Sequence, residues 1–471
     1  MMSRHYNIIV IGSGPGGYIA ALKAAEQGAS VACIEKSHLG GTCLNAGCIP
    51  SKALLSSAEM LHNFHHAQTW GLNVSGKIDP DWKAIQKHKD KVIRQLRGGI
   101  GSLFKGRSVE SIQGAAKFQA AGSLSVEGEK GLISLTGDRV IIATGSVPMR
   151  IPGWPDDPSL VCTSDESVHW TTLPQKLLII GGGVIGCEFA CMMQPFGVEV
   201  TIVELMPTLL PTMDEELGES LQCIFEKRGI RCFTNVKVDC LDVIAGALKA
   251  KLSNGKIIDA DRALVSIGRR PNAAALGLEN AGIHISSKGF VSVNDYMQTN
   301  VKNHYCIGDA NGRCLLAHAA SAQGICAIEN ALGHTHAFDS PVPSAVYTFP
   351  EIASVGLAEQ QCRARGLAYS VGRFPLAHLG KAMASHHTEG FVKTIRCRES
   401  DEILGVHMMG CNATECIAAA GVAVHSRASM HDLAEIVFAH PTISESIKES
   451  AEDSIGIGLH LPPRKLVRAA V

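Results

Sequence analysis

The chain has 471 residues, 46% of them hydrophobic and only 5% aromatic, with 48 glycines. That length exceeds what one hydrophobic core organises and predicts about three domains. With 43 basic and 44 acidic side chains the net charge is −1, which excludes a basic field for nucleic acid or anionic lipid, and no apolar run is long enough to span a membrane.

Only MMSRHY precedes the first apolar run, so the expectation is no leader and a reducing, cytoplasmic compartment. The stretch YNIIVIGSGPGGYIAALKAAEQGASVACIEK then reads as strand, glycine turn, amphipathic helix and a second strand ending on an acid. Gly12, Gly14 and Gly17 fit GxGxxG: a tight turn, a close backbone approach to a pyrophosphate, and close packing of helix on strand. Glu35 stands where a carboxylate accepts ribose hydroxyls.

Next comes GGTCLNAGCIPSK, residues 40–52, with Cys43 and Cys48 five positions apart. On a regular helix such a pair would have Cα atoms roughly 8 to 9 Å apart, beyond the reach of about 7 Å of a disulfide. If they pair, the helix must break between them. Gly47 and Pro50 predict that break, with a new helix beginning near Pro50. In a reducing compartment a disulfide that matters is redox-active rather than structural. A lone CxxxxC makes a poor tetrahedral zinc site, and no metal is expected. Of the 16 cysteines, Cys33, Cys187, Cys191, Cys223, Cys232, Cys306 and Cys326 lie in apolar runs and are expected to be core.

DPDWKAIQKHKDKVIRQLRGGIGSLFK (79–105) carries apolar residues at helical spacing and predicts one long helix. RVIIATGSVP places Ala143, Thr144 and Gly145 at a strand end, where backbone can meet a ligand. The first pattern recurs in KLLIIGGGVIGCEFACMMQPFGVEVTIVELMP, with Gly181, Gly183 and Gly186 as the fingerprint and Glu204 closing the second strand. Two units imply two dinucleotides, and Glu204 favours NAD over NADP because a carboxylate repels a 2′-phosphate. Pro195 predicts an early end to the second unit's helix. ALVSIGRRPN gives another strand end at Gly268, expected to cross back between domains. In HYCIGDA, Asp309 either contacts a ligand's ribityl chain or caps a helix beginning near Ala317.

A disulfide is opened by a thiolate, and a thiol with a pKa near 8.5 needs a base at pH 7. Among 20 histidines, His440 stands out in AHPTISESIKES, five residues before Glu445. A carboxylate facing the imidazole would set its tautomer and stabilise its charged form. The competing reading is a TxxE capping box in which Thr442 and Glu445 only start the last helix.

Taken together, GGTCLNAGCIPSK, ATGSVP, GGGVIGCEF, IGRRPN, CIGDA, YTFPEIASVG and HPTISE resemble the pyridine nucleotide-disulfide oxidoreductase family, class I, over essentially the whole length. The resemblance implies two Rossmann-like dinucleotide-binding domains and an α+β C-terminal dimerisation domain. The implied limits are 1–148 for FAD, 149–271 for NAD, 272–340 returning to the FAD domain, and 341–471 for the interface. It implies one FAD per subunit on the first fingerprint and NAD on the second. Cys48 would face the flavin and Cys43 the substrate. Lys52, Glu188 and Ala317 enter as cofactor contacts by resemblance alone. Many members carry lysine at the position of Ala319.

The family base belongs to the other subunit, so a homodimer is expected. The implied activity oxidises protein-bound dihydrolipoyl groups, and the partner is the lipoyl-bearing protein of a 2-oxoacid dehydrogenase or glycine cleavage complex. The alternatives are a related disulfide or mercuric reductase, or a noncatalytic flavoprotein subunit. Glu204 speaks against a reductase that uses NADPH, and LPPRKLVRAAV holds none of the cysteines a mercuric reductase would add.

Overall fold

The computed structural model of the chain describes residues 4 to 462 apart from Lys77, Lys130 and Ala245; the expectations placed on residues 1–3 and 463–471 lie outside it. The run NIIVI gives β1 (Arg4–Ile11), buried from Ile8 onward, and a turn leads to α1 (Pro15–Glu26) and the fully buried β2 (Val31–Glu35). α2 (Gly41–Asn45) and α3 (Cys48–His65) follow. The long helix expected from residue 79 is α4 (Trp82–Gly106), whose start is fixed by Asp81, a cap that accepts the Ala84 N–H at 2.9 Å.

β3 (Glu110–Gln113), β4 (Ala115–Ala120), β5 (Ser123–Gly128) and β6 (Gly131–Ile142) extend the first sheet, with path β3-β2-β1-β6-β5-β4. β1, β2, β3 and β6 run parallel, the arrangement that glycine-turn units build. A short β7 (Ser146–Pro148) leaves this unit.

The second unit repeats the pattern with β8 (Val161–Cys162), α5 (Ser164–Ser167), β9 (Lys176–Ile180), α6 (Val184–Met193), β10 (Glu199–Val203), α7 (Glu215–Lys227) and β11 (Arg231–Phe233). α6 stops at Met193, and Pro195 sits in the short 3₁₀ turn Gln194–Phe196, as a residue without an N–H requires. An antiparallel meander, β12 (Val238–Ile244), β13 (Ala247–Leu252) and β14 (Ile257–Ala260), precedes β15 (Arg262–Val265), which closes a parallel sheet of order β11-β10-β9-β15-β8. β16 (Arg269–Pro271) pairs antiparallel with β7 and carries the chain back. β17 (His304–Cys306) then joins β6 in parallel, so this segment completes the first sheet. α8 (Ala317–Ala331) packs so tightly on α1 that a Cβ on Gly324 would come 2.7 Å from the Gly16 carbonyl oxygen.

The last unit has β18 (Ser344–Val346), β19 (Glu351–Gly356), α9 (Glu359–Ala364), β20 (Tyr369–Pro375), α10 (Gly380–Ala384), β21 (Phe391–Cys397), β22 (Ile403–Gly410), α11 (Ala413–His425), α12 (Met430–Glu435) and α13 (Glu445–Ile455). Its sheet is antiparallel, in the order β18-β19-β22-β21-β20. The fold is therefore mixed α/β, as the repeated glycine turns predicted.

The cysteine expectations need one correction. Cys33, Cys187, Cys191, Cys306 and Cys326 are buried, but Cys223 is exposed and Cys232 half-buried. α7 buries Leu217, Leu221, Ile224 and Phe225, a stripe at helical spacing, and Cys223 falls outside it.

Candidate functional site

The two glycine turns are built alike. Gly12 and Gly181 hold φ of +101° and +106°, and a Cβ there would strike the Ala143 and Ser266 carbonyl oxygens at 2.3 and 2.5 Å. Gly17 and Gly186 let helix close on strand, since a Cβ on either would lie within about 2 Å of the carbonyl oxygen of Gly12 or Gly181. Gly14 and Gly183 cap α1 and α6, and nothing lies within 4 Å of where their Cβ atoms would be.

Both helix N-termini lack a side-chain cap and open onto one cavity of about 1480 Å³. Unpaired N–H groups and the helix dipole suit that end of each helix to a pyrophosphate. Ala143, Thr144, Gly145, Gly268, Asp309 and Ala317 line the same cavity, whereas Gly186 serves packing and does not face it. The Thr144 hydroxyl oxygen is buried without a hydrogen-bond partner, as fits a wall that awaits a polar ligand.

The acids closing each unit are pinned. Glu35 Oε2 accepts the Ser13 N–H at 2.9 Å and its hydroxyl at 2.7 Å, and Oε1 accepts the Ser37 N–H at 2.8 Å. Glu204 likewise takes the Gly182 and Met206 N–H groups at 2.6 and 2.7 Å. Asp309 accepts from the Ser146 hydroxyl and does not cap α8, whose N-cap is Leu316 with no side-chain hydrogen bond. Among the described residues no group of three or more His, Cys, Asp or Glu is placed to hold a metal.

The helix breaks between the two cysteines where Gly47 was expected to break it. α2 ends at Asn45, Gly47 adopts φ −131° and ψ −112°, and Cys48 opens α3. Neither cysteine is in a disulfide, and both line the cavity on either side of the break. The Cys43 hydrogen bond, and secondarily the Lys52 charge, outweigh burial and bring the Cys48 thiol down to about 7. The same hydrogen bond, together with burial, pushes Cys43 up. Cys48 is thus the more readily ionised thiol of the pair, an asymmetry the spacing does not encode.

Lys52 Nζ donates to both Glu188 oxygens, at 2.9 and 2.8 Å, and lies 4.4 Å from the centre of the Tyr347 ring. Glu188 is only 4% exposed, and its Oε1 also accepts the Tyr347 N–H at 3.0 Å. Three units meet at this pair: α3, α6 and the segment after β18. Tyr347 was not singled out from sequence; YTFPEIASVG marked the segment, but nothing local says that its ring covers Lys52.

His440 does not meet the dithiol within one chain. Its side chain is 78% exposed just before α13, outside the cavity lined by Cys43 and Cys48. Nδ1 lies 2.8 Å from Glu445 Oε1. A carboxylate only accepts, so Nδ1 carries the hydrogen and Nε2 keeps its lone pair for a proton. Glu445 Oε2 takes the Thr442 N–H at 2.7 Å, while the Thr442 hydroxyl donates to the Ala439 carbonyl. Half of the capping box forms, and the same carboxylate also holds the imidazole.

A profile of the pyridine nucleotide-disulphide oxidoreductases matches residues 6–324, and one of that family's dimerisation domain matches residues 342–451. The chain is 38% identical to a dihydrolipoyl dehydrogenase of Bacillus subtilis over 98% of its own length and 100% of that protein's. It is 40% identical to a mitochondrial dihydrolipoyl dehydrogenase of Pisum sativum, covering 97% and 92% of the two chains. Among solved structures, LpdA from Mycobacterium tuberculosis superposes with a TM-score of 0.88 at 28% identity, over 96% of this chain and 99% of that one.

Proposed function

The chain belongs to the pyridine nucleotide-disulphide oxidoreductase family, and on that premise we propose that it is a dihydrolipoyl dehydrogenase, a flavoprotein that oxidises dihydrolipoyl groups and reduces NAD⁺. The observation that carries this reading is that Cys43, Cys48 and Lys52 line the one cavity onto which both dinucleotide turns open. Gly12, Gly14 and Glu35 would hold FAD, and Gly181, Gly183 and Glu204 would hold NAD. FAD, when bound, supplies the two-electron link between the dithiol and NAD⁺.

His440 takes the proton of one dihydrolipoyl thiol, and the thiolate attacks Cys43 Sγ of the oxidised pair. The Cys43–Cys48 bond breaks, and Cys48 keeps the electron pair as a thiolate. The second lipoyl sulfur then attacks the one held on Cys43, closing the lipoyl ring while its proton passes to the departing Cys43. The electron pair now rests on the enzyme as Cys48 thiolate and Cys43 thiol, with the other proton on His440. Lys52, held by Glu188, stabilises that thiolate.

The exposed His440 is read as serving the dithiol of a second copy of the chain in a homodimer. Its further partner is a lipoyl-bearing protein of a 2-oxoacid dehydrogenase or glycine cleavage complex, met in the cytoplasm. No helix among the described residues is long and apolar enough to cross a membrane. A substrate panel tests the reading. NADH should form from dihydrolipoamide and NAD⁺, with little turnover of oxidised glutathione or mercuric ion by NADPH; the reverse preference would refute it.

A further inference from the structure

α4 meets the segment that carries Cys43 through contacts that the dithiol chemistry above does not use. Arg97, half-buried on α4, donates from Nε and Nη2 to Asn45 Oδ1 at 3.2 and 2.5 Å. Gly101, one turn further along the same face, lies so close that a Cβ there would sit 3.9 Å from Leu39 Cδ1. Ile100 and Phe104 are buried in the core that also holds Leu44. A guanidinium has only donors, so Asn45 presents its oxygen to Arg97 and its amide nitrogen to the other side. That nitrogen donates to the Leu39 and Gly41 carbonyls at 3.0 and 2.8 Å.

Asn45 is the last residue of α2 and stands between Cys43 and Cys48. Past it the chain doubles back sharply. A Cβ on Gly47 would lie 3.1 Å from the Thr42 carbonyl oxygen and 3.3 Å from Cys43 Cα. The Ala46 N–H closes the same turn on the Thr42 carbonyl at 2.8 Å. Neither α2 nor α3 has a side-chain cap at its start. The Asn45 amide is thus a side-chain tie within this turn, and Arg97 holds that amide from a separate helix.

We propose that Arg97 is a positioning residue for the redox pair: acting through Asn45, it holds the turn between Cys43 and Cys48 and so favours the disulfide over the dithiol. This rests on reading those cysteines as the redox dithiol. The sign follows from chain freedom. A disulfide ties the turn by its own covalent bond, whereas the dithiol form relies on non-covalent ties, so loosening Asn45 releases freedom mainly in the dithiol. The bonds from Arg97 end on an amide oxygen, not on sulfur, so its part is to hold the turn rather than to exchange protons or electrons with the pair.

The test equilibrates the FAD-loaded enzyme anaerobically with a fixed ratio of reduced to oxidised dithiothreitol, quenches with acid, and counts free Cys43 and Cys48 by mass spectrometry. Closing the pair forms one S–S bond as the reagent's S–S bond breaks, and two electrons and two protons pass to the reagent. In Arg97→Met the equilibrium should shift toward the dithiol by about three- to tenfold, on the order of the backbone freedom of one residue, with FAD content close to wild type. Arg97→Lys, which keeps a cationic donor, should recover part of the shift. In an Asn45→Ala background, Arg97→Met should add no further shift. An unchanged ratio in Arg97→Met would overturn the proposal, as would a full further shift in the Asn45→Ala background or a lysine variant shifted as far as the methionine one. A wild-type enzyme that never closes the Cys43–Cys48 disulfide at any ratio would instead sink the dithiol reading itself.

Discussion

Cys48 and Lys52 are one helical turn apart at the start of α3, and that spacing lets a single ammonium act on a single thiol. Cys48 is lowered to about 7, so the reduced enzyme should gain its thiolate as pH rises through that value. Lys52 contributes to the lowering. Lys52→Met should therefore raise the midpoint of thiolate formation, measured by ultraviolet absorbance, so that less thiolate remains at pH 7; an unmoved midpoint would remove Lys52 from the account. The two cysteines and the glycine break were legible in GGTCLNAGCIPSK, whereas Lys52 entered only through the family resemblance. Tyr347 was not, because its ring reaches Lys52 across more than a hundred positions of chain. No local pattern of polarity reports such a contact.

Elements were legible where glycine, proline and apolar periodicity act within one turn or strand. Pro195 gives the end of α6, and the apolar spacing after Asp81 gives α4. α7 shows the limit. Its hydrophobic stripe decides which face is buried, and Cys223, read as core from its neighbours, falls on the other face. α4 matters beyond its own stability because its Arg97 holds the Asn45 side chain in the segment between the cysteines. Asp81→Ala removes the bond to the Ala84 N–H and should cost about 1 kcal/mol, read as a lowered unfolding midpoint. An unchanged midpoint would mean that packing alone fixes where α4 begins.

The units are joined by charge as well as by chain. Lys393 of β21 and Asp214 at the start of α7 are 3% and 1% exposed and 2.9 Å apart, with Glu359 at 2.6 Å and Glu216 at 3.3 Å from the same ammonium. Removing the cation strands the buried carboxylate of Asp214. Lys393→Met should thus destabilise the protein by about 3 to 5 kcal/mol, measured by denaturant unfolding. A variant as stable as wild type would show that Asp214 protonates or reaches water instead.

Dimerisation makes its own prediction. Chains carrying Cys48→Ser and chains carrying His440→Gln should each be inactive alone. Refolded together in equal amounts they should recover about a quarter of wild-type turnover, because half of the dimers then hold one complete site of two. A mixture that stays inactive would place the base in the same chain as the dithiol. HPTISE pointed to His440, but on the proposed reading it meets Cys43 only through a second copy, which one chain's sequence does not order in space.

The most direct measurement is dihydrolipoamide-dependent NADH formation by Cys48→Ser, made alongside its FAD content. FAD should remain bound, since the glycine turn and Glu35 are untouched, while turnover with dihydrolipoamide should be abolished. Turnover close to wild type in the FAD-loaded variant would contradict electron transfer through Cys43 and Cys48.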